Sequence, residues 1–201
     1  MASSTAKPVF VVTGPSGAGK GTLSQLVLPR FAELAHTVSA TTRVRRPGEK
    51  DGVEYWFLDR AEFDRRIAAG EFLEWVDYVG NRYGTLNSEI ERLRAAGKAP
   101  LLELETDGAL RVKARVPSAV TIFVTAPVEE LERRLRERAT ESSGVIEERL
   151  ATARRQLEQQ DEFDFVVRND DKLRAADELA RIVARHLAGA SSDNAATMAR
   201  P

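Results

Sequence analysis

The chain has 201 residues, of which 42% are hydrophobic and 30% charged, and this composition excludes a disordered chain and allows a full core. The net charge of −1 excludes a general attraction to nucleic acid or anionic membranes, and the absence of cysteine excludes disulfides and thiolate metal sites. The first residues, MASSTAKP, contain no apolar signal core, and no apolar run approaches membrane-spanning length. We therefore expect a cytoplasmic protein without a membrane partner.

Short apolar runs alternate with helical patterns along most of the chain. The apolar runs predict strands at 9–13, 36–40, 53–58, 100–105, 119–125 and 163–167. Amphipathic stretches predict helices at 20–28, 59–70, 87–97, 127–139, 145–160 and 171–188, with a short one between 105 and 119. The alternation predicts a parallel α/β sheet, which the irregular block at 36–90 interrupts. Within that block, Asp59 is the predicted N-cap of the helix at 59–70, and EFLEWVDYVGNRYGT predicts a hairpin.

The motif GPSGAGKGT at 14–22 follows the first predicted strand and opens the first predicted helix. It nearly matches the phosphate-binding loop G-x-x-x-x-G-K-[ST], in which backbone N–H groups face the phosphates and the lysine, here Lys20, contacts the β and γ oxygens. Gly21 stands where a magnesium-binding hydroxyl is expected. Thr22 comes one residue later, about 100° further round the helix. We therefore expect a triphosphate site in which Thr22 reaches a phosphate rather than the metal.

Four side chains suited to a second phosphate lie in or near the polar stretch TTRVRRPGEKDG at 41–52. Arginine binds phosphate with a planar fork and tyrosine adds a neutral donor, and the chain offers Arg43, Arg46, Tyr55 and Tyr83. Each arginine alone would be a solvated surface charge, but the cluster in a glycine-bearing loop favours an anion site. Two phosphate sites in one small chain indicate phosphoryl transfer between nucleotides.

Five motifs, in this order, resemble those of the guanylate kinase family: GPSGAGKGT, SATTRVRRPGEKDGVEYWF, GEFLEWVDYVGNRYGT, RERATES and VVRND. The stretch T-T-R-x-x-R-x-G-E followed by Y-x-F is the most specific part. The resemblance implies an α/β fold with a P-loop parallel-sheet core flanked by helices, a small mixed α/β nucleotide-binding insert and a helical lid. It also implies transfer of the γ-phosphoryl group of ATP to GMP, and to dGMP, with Mg²⁺ as cofactor. ATP and GMP are then the partners, without a nucleic acid polymer or an obligate protein partner.

The resemblance implies a division of the chain into five parts. These are a flexible N-terminus at 1–7, a core at 8–35, 91–127 and 161–188, a GMP-binding insert at 36–90, a lid at 128–160 and a flexible tail at 189–201.

Individual site residues follow from the resemblance. Positions that match GMP-phosphate ligands are Arg43, Arg46, Tyr55 and Tyr83, and those that match guanine contacts are Ser39, Glu74 and Thr85. A carboxylate such as that of Glu74 can accept both N1–H and N2–H of guanine, whereas adenine offers an acceptor at N1. Such a buried polar site can discriminate by roughly 10⁴, because the wrong base leaves it unpaired.

On the ATP side, the resemblance implies contacts from the phosphate loop and from the residue after the last strand. The ATP-binding positions are Gly14, Pro15, Ser16, Gly17, Ala18, Gly19, Lys20, Gly21, Thr22 and Asn169. Lys20 with the lid arginines Arg134, Arg138 and Arg149 forms the catalytic set. The lid segment alone would also be read as a charged helix pair with i,i+4 partners such as Glu130 and Arg134.

The stretch LLELETDG at 101–108 ends an apolar strand with Glu103 and Glu105, which alternation places on one face. A carboxylate at the end of a central strand commonly holds magnesium or its water, so both are candidate metal residues and both match GMP-site positions. Guanylate kinases more often have aspartate and glutamine where this chain has Glu105 and Asp107. A solvated strand end is the alternative.

Two other functions remain open at this point. Guanylate-kinase-like domains exist that bind proteins and have lost ATP binding, although these usually lack an intact phosphate loop. A small kinase with another acceptor is the second alternative, against which Glu74 and the tyrosine–arginine cluster argue.

Overall fold

The computed structural model of the protein describes residues 7–78, 80–138 and 143–198, and the side chains of these except at 138, 143–146 and 190–198. Strands and helices alternate along the chain. The strands are β1 (Phe10–Thr13), β2 (Leu34–His36), β3 (Ala40–Thr41), β4 (Trp56–Phe57), β5 (Phe72–Tyr78), β6 (Asn81–Leu86), β7 (Ala99–Glu103), β8 (Val120–Thr125) and β9 (Phe165–Arg168). The helices are α1 (Lys20–Val27), α2 (Arg60–Ala68), α3 (Asn87–Ala95), α4 (Thr106–Arg115), α5 (Val128–Arg138), α6 (Ser143–Glu158) and α7 (Lys172–Met198).

Five strands form a parallel sheet in the order β2-β7-β1-β8-β9. Successive side chains of a strand point to opposite faces, and β1 is buried on both. Val12 packs in a cluster with α1 and α7, while Val11 packs in another with α3 and α4. This confirms the α/β class. Because all five strands run in the same direction, their carboxyl ends gather the phosphate loop, Glu103 and the chain that follows β8 at one edge.

A second sheet of four strands has the order β4-β3-β6-β5. The predicted hairpin is confirmed as β5 and β6, which pair antiparallel. Helix α2 packs on this sheet through Phe63, whose ring stacks on Phe72 at 4.3 Å between centroids. The predicted N-cap of α2 is also confirmed, because the Asp59 side chain accepts a 2.7 Å hydrogen bond from the Glu62 N–H. The small mixed α/β insert is therefore present, although its limits at 36 and 90 remain a prediction.

The structure corrects several predicted elements. The strand predicted at 53–58 shrinks to β4, because Val53 is 61% exposed and lies in a turn. The strand predicted at 36–40 is divided between two sheets, with β2 in the first and β3 in the second. The helix predicted at 171–188 begins at Lys172 and continues to Met198 as α7.

Within the ranges that the structure describes, no helix is both long and apolar enough to cross a membrane.

Candidate active site

The phosphate loop connects β1 to α1, as the sequence predicts. Its turn is closed by a 3.1 Å hydrogen bond from the Ala18 N–H to the Pro15 carbonyl. The Lys20 ammonium lies inside the loop and donates to the Gly14 carbonyl at 2.5 Å and to the Pro15 carbonyl at 3.4 Å. Burial lowers the pKa of Lys20, and the nearby carboxylates of Glu105 and Glu103 only partly oppose this. A desolvated ammonium at the base of an open loop is suited to meet phosphate oxygens.

Gly14 is required where the strand turns into the loop. Its φ is +135°, and a β-carbon there would overlap the Val124 carbonyl oxygen of the neighbouring strand. We expect Gly14→Ala to lower the free energy of unfolding by more than about 3 kcal/mol, because neither backbone can move without breaking the sheet. Urea denaturation followed by circular dichroism measures this.

The matched control for that substitution is Gly97→Ala. Gly97 also has a positive φ, +71°, but a β-carbon there would meet nothing within 4 Å. It should cost only about 1–2 kcal/mol, the ordinary penalty of a left-handed conformation. Equal losses in the two variants would contradict the close approach at Gly14.

Two carboxylates lie beside the loop, but not as the strand pattern predicts. Glu103 is the last residue of β7, whereas Glu105 is the N-cap of α4 and lies outside the strand. Strand alternation therefore does not bring them together; the turn into α4 does. Both line a cavity of about 350 Å³ with Lys20 and Thr22 of the loop. The nearest carboxylate oxygen of Glu105 is 4.0 Å from the Lys20 Nζ.

A histidine that the sequence analysis left without a role lies next to this pair. His36 ends β2, and its Nε2 is 3.3 Å from the Glu103 Oε1. Burial opposes ionisation of Glu103, but the hydrogen bond to His36 and the charge of Lys20 outweigh it and lower its pKa. Burial likewise lowers the pKa of His36, but Glu103 outweighs it and raises this pKa. No sequence signal pointed to His36, because the predicted strand at 36–40 begins at this residue, whereas in the structure His36 ends β2.

These carboxylates fit a magnesium ion held through water. Their carboxylate oxygens are the hard ligands that Mg²⁺ prefers, and they can accept hydrogen bonds from its water ligands. Gly21 lies against Glu103, since a β-carbon there would be 3.4 Å from the Glu103 Oε2, which is about van der Waals contact. Among the residues that the structure describes, no group of three or more His, Cys, Asp or Glu side chains forms a metal cage. An ion here would therefore draw its other ligands from phosphates and water.

The second sheet meets the loop at a cavity of about 340 Å³. It is lined by Lys20, Ser39, Tyr55, Glu74, Val76, Tyr78, Tyr83, Gly84, Glu103, Leu104, Glu105 and Gly108. The structure thus brings together six predicted acceptor-site residues with the loop lysine. Val76 and Tyr78 were not predicted, although alternation in β5 places them on the same face as Glu74.

Glu74 is the most deeply buried acid of this cavity, at 3% exposure. Thr85, its partner on β6, donates a 2.8 Å hydrogen bond to the Glu74 Oε1. Desolvation raises the pKa of Glu74, against the opposing effects of Thr85 and of Arg111 and Arg115. The other oxygen faces α4, where a β-carbon on Gly108 would lie 3.0 Å from it. Thr85 itself is not among the described residues that line the cavity, so it acts on the cavity through its hydrogen bond to Glu74.

Arg43 is held by the loop that contains it. Its Nη2 donates to the Glu49 Oε1 at 2.7 Å, and its guanidinium lies 5.3 Å from the centre of the Tyr55 ring. The hydrogen bond from Arg43 lowers the pKa of Glu49. The backbone N–H of Arg46 donates to the other Glu49 oxygen at 2.8 Å, while the Arg46 side chain is exposed. Neither arginine is among the described residues that line the cavity. Glu49 was missed as a site residue, and its signal was its place in the R-x-x-R-x-G-E motif.

The two helices of the predicted lid, α5 and α6, contact the phosphate loop through arginines. Arg134 on α5 donates to the Gly17 carbonyl at 3.2 Å and to the Asn169 carbonyl at 3.0 Å. Arg149 on α6 donates to the Ser16 hydroxyl at 3.1 Å. Arg138 is the last residue of α5, and its side chain lies outside the described residues, as does Ala139. Two of the three predicted lid arginines are therefore at the loop.

Asn169 follows β9 and closes the same region. Its side-chain amide donates to the Ala18 carbonyl at 2.7 Å, and its Oδ1 is buried without a partner among the described residues. Asn169 and Arg134 line a cavity of about 270 Å³ with Glu130 and Thr22. Hydrogen bonds from Arg133 and Arg134 lower the pKa of Glu130 to about 2. An orphaned acceptor at the wall of a cavity indicates a ligand with a donor.

Comparisons with known proteins identify the family of the chain. The family model described as Guanylate kinase matches residues 5–186. The guanylate kinase of Rubrobacter xylanophilus is 50% identical over 182 residues, which are 90% of this chain and 95% of that relative. The guanylate kinase of Desulfitobacterium hafniense is 47% identical over 176 residues, 87% of this chain and 88% of that relative. The crystal structure of guanylate kinase from Anaplasma phagocytophilum, at 30% identity and a TM-score of 0.71, covers 90% of this chain and 87% of that chain.

Proposed function

The chain belongs to the guanylate kinase family and transfers the γ-phosphoryl group of ATP to GMP, and we propose that it does so with the residues assembled at the edge of the sheet. The observation that carries the assignment of residues is a single one. Glu74, a buried carboxylate suited to guanine, and Lys20, a cation suited to phosphate, line the same cavity of about 340 Å³. A nucleotide read at one end of this cavity presents its phosphate at the other.

On the acceptor side, Glu74 accepts the N1–H and N2–H donors of guanine, and Ser39 adds a hydroxyl. Thr85 fixes the Glu74 carboxylate by its 2.8 Å hydrogen bond. Arg43, Arg46, Tyr55 and Tyr83 hold the GMP phosphate, with Glu49 keeping Arg43 in place. Glu74 contacts the base, which GMP and dGMP share, and not the sugar, where they differ. We therefore expect dGMP to be a substrate as well.

On the donor side, backbone N–H groups of the phosphate loop and the start of α1 hold the ATP phosphates. Lys20, Arg134 and Arg149 neutralise charge on the transferred group, and Arg138 completes this set in our proposal. Thr22, whose exposed hydroxyl lines both loop cavities, donates to a phosphate. Asn169 offers its unpaired Oδ1 to a donor of the adenine base.

The transfer itself needs no general base. A GMP phosphate oxygen attacks the γ-phosphorus, the bond to the β–γ bridging oxygen breaks, and its electron pair leaves with ADP. The second pKa of a phosphomonoester is near 6, so the attacking group is already largely dianionic at neutral pH.

When bound, Mg²⁺ supplies further neutralisation of phosphate charge. Glu103 and Glu105 would hold its water ligands, and His36 orients Glu103. The absence of cysteine suits the cytoplasmic location that we include in this proposal.

The test is ADP release from ATP and Mg²⁺ with GMP, dGMP, AMP or no acceptor in parallel. We expect turnover with GMP and dGMP, kcat/KM for AMP lower by roughly 10³-fold or more, and none without acceptor. Turnover with AMP comparable to GMP would contradict the role of Glu74. ATP binding without turnover on any acceptor would favour a protein-binding module instead.

A further inference from the structure

Strand β5 contains an irregularity directly before Glu74. Phe72 pairs with Leu86, but the next pair along the hairpin is Glu74 with Thr85, so that Leu73 is an extra residue on β5. Such a β-bulge changes which side chains face a given surface, because side chains alternate along a strand. Without the bulge, Leu73 would be opposite Thr85 and Glu74 would be opposite Gly84, on the other face. The bulge therefore brings the Glu74 carboxylate to the Thr85 hydroxyl.

One arginine of the core contacts this bulge. Arg115, the last residue of α4, donates from Nη1 to the Phe72 carbonyl at 2.9 Å and to the Leu73 carbonyl at 2.7 Å. The two carbonyls flank the extra residue, and a charged donor binds carbonyl oxygens more strongly than a neutral one. Arg111, one turn earlier on the same helix face, donates to the Trp75 carbonyl. The backbone on both sides of Glu74 is thus attached to α4.

The N-terminal end of α4 lies at the candidate active site. Its N-cap is Glu105, and Gly108 in its first turn faces the Glu74 Oε2. Arg115 itself is not among the described residues that line the acceptor cavity. It lines a second cavity of about 570 Å³ with Asp107 and Arg111, and this cavity shares Glu74 and Val76 with the acceptor cavity. Arg115 donates to the β5 backbone and acts by its charge on the Glu74 carboxylate, so its effect on GMP runs through β5 and Glu74.

We propose that Arg115 is a positioning residue for guanine selection: it holds the bulge at Leu73 and so aims the Glu74 carboxylate into the acceptor cavity. The inference rests on the proposed role of Glu74 as the guanine reader. Loss of Arg115 leaves the two carbonyls without their charged donor, so the bulge can relax and the register of Glu74 becomes less defined. The consequence is weaker binding of GMP and poorer rejection of AMP, with no direct effect on ATP.

The experiment compares Arg115→Met, Arg115→Lys and Lys113→Met for kcat and KM with GMP, AMP and ATP. Arg115→Met retains the aliphatic stem and removes the donors. We expect its KM for GMP to rise about 10–100-fold and the GMP/AMP ratio of kcat/KM to fall about as much, with KM for ATP changed less than about threefold. Arg115→Lys keeps one charged donor and should recover part of both losses.

Lys113→Met is the matched control, because it removes a cation from the same helix. The Lys113 ammonium donates to Asp164 and to the Glu162 carbonyl, in the segment that precedes β9. It should leave the GMP/AMP ratio unchanged. An equal loss of selectivity in this variant, or an unchanged ratio in Arg115→Met, would overturn the proposal.

A double variant separates this inference from the function on which it rests. If Arg115 acts through Glu74, adding Arg115→Met to Glu74→Gln should not change the GMP/AMP ratio further. A second loss of the same size would mean that Arg115 acts independently of Glu74. If Glu74→Gln alone keeps full GMP selectivity, it is the guanine-reading role of Glu74 that fails.

Discussion

Lys20→Met is expected to lower kcat by about 10³-fold or more while leaving KM for GMP nearly unchanged. The Lys20 ammonium is the one lysine cation placed within the phosphate loop, and a preorganised charge directed at the transferred group acts mainly in the transition state. Methionine preserves most of the side-chain length without the charge. Steady-state kinetics with varied GMP and ATP measures the separation of kcat from KM.

A stability measurement separates this loss from misfolding. Burial lowers the pKa of Lys20, so the charged form is disfavoured by desolvation in the folded protein. Removing the ammonium should therefore leave the melting temperature unchanged or raise it. Lys98→Met is the matched control, because its ammonium also donates to a backbone carbonyl, that of Ala32 at 2.6 Å, but away from the site. A Lys20→Met enzyme that retains more than about a tenth of the parent kcat would contradict the assigned role.

Glu74→Gln is expected to have the second large effect, on selectivity. We expect kcat/KM for GMP to fall about 10²–10³-fold and the GMP/AMP ratio to fall at least as much, because an amide offers guanine one acceptor and one opposing donor. The Thr85 hydroxyl can still donate to the remaining carbonyl oxygen, so the change is confined to the base-reading edge. Parallel kinetics with GMP and AMP measure it.

The difference in stability between this variant and the parent should depend on pH with a definite sign. Desolvation raises the pKa of Glu74, so the folded protein binds this proton more tightly than the unfolded chain. The stability gained by proton binding is full below the unfolded pKa, whose ordinary value is 4.5, and is lost as the pH rises through the folded pKa. Glu74→Gln should therefore be more stable than the parent at neutral pH, and the difference should vanish in acid.

Glu71→Gln is the control for both measurements. Glu71 is exposed just before β5 and lies 3.6 Å from Arg66. It should change neither the GMP/AMP ratio nor the pH dependence of unfolding. If Glu74→Gln also keeps the parent ratio, guanine must be read elsewhere in the cavity, for example at Ser39.

Local patterns predicted the parts of the fold that depend on neighbouring residues. The phosphate loop, the Asp59 cap and the β5–β6 hairpin all follow from a few adjacent residues with defined backbone preferences. Element limits were less predictable where a pattern crossed from one sheet to another. The run 36–40 has one continuous β pattern, but its two ends pair with β7 and with β4 and β6.

The candidate site divides in the same way. Motifs named most of the side chains that line the acceptor cavity, because each motif is a short segment with its own spacing. They did not name His36, Glu49 or Arg115. His36 meets Glu103 only because β2 pairs with β7, and Arg115 meets the bulge only because α4 packs on β5.

By itself, the sequence determined the class of fold, the phosphate loop and most of the residues that line the candidate acceptor cavity, because these depend on periodicity and local spacing. The tertiary structure decided which face of β5 Glu74 occupies, since a one-residue bulge reverses side-chain alternation without changing the composition of the strand. It also decided that Glu105 joins Glu103 through the turn into α4 rather than along a strand. Both outcomes are set by contacts between segments far apart in the chain, and local sequence patterns do not predict such contacts.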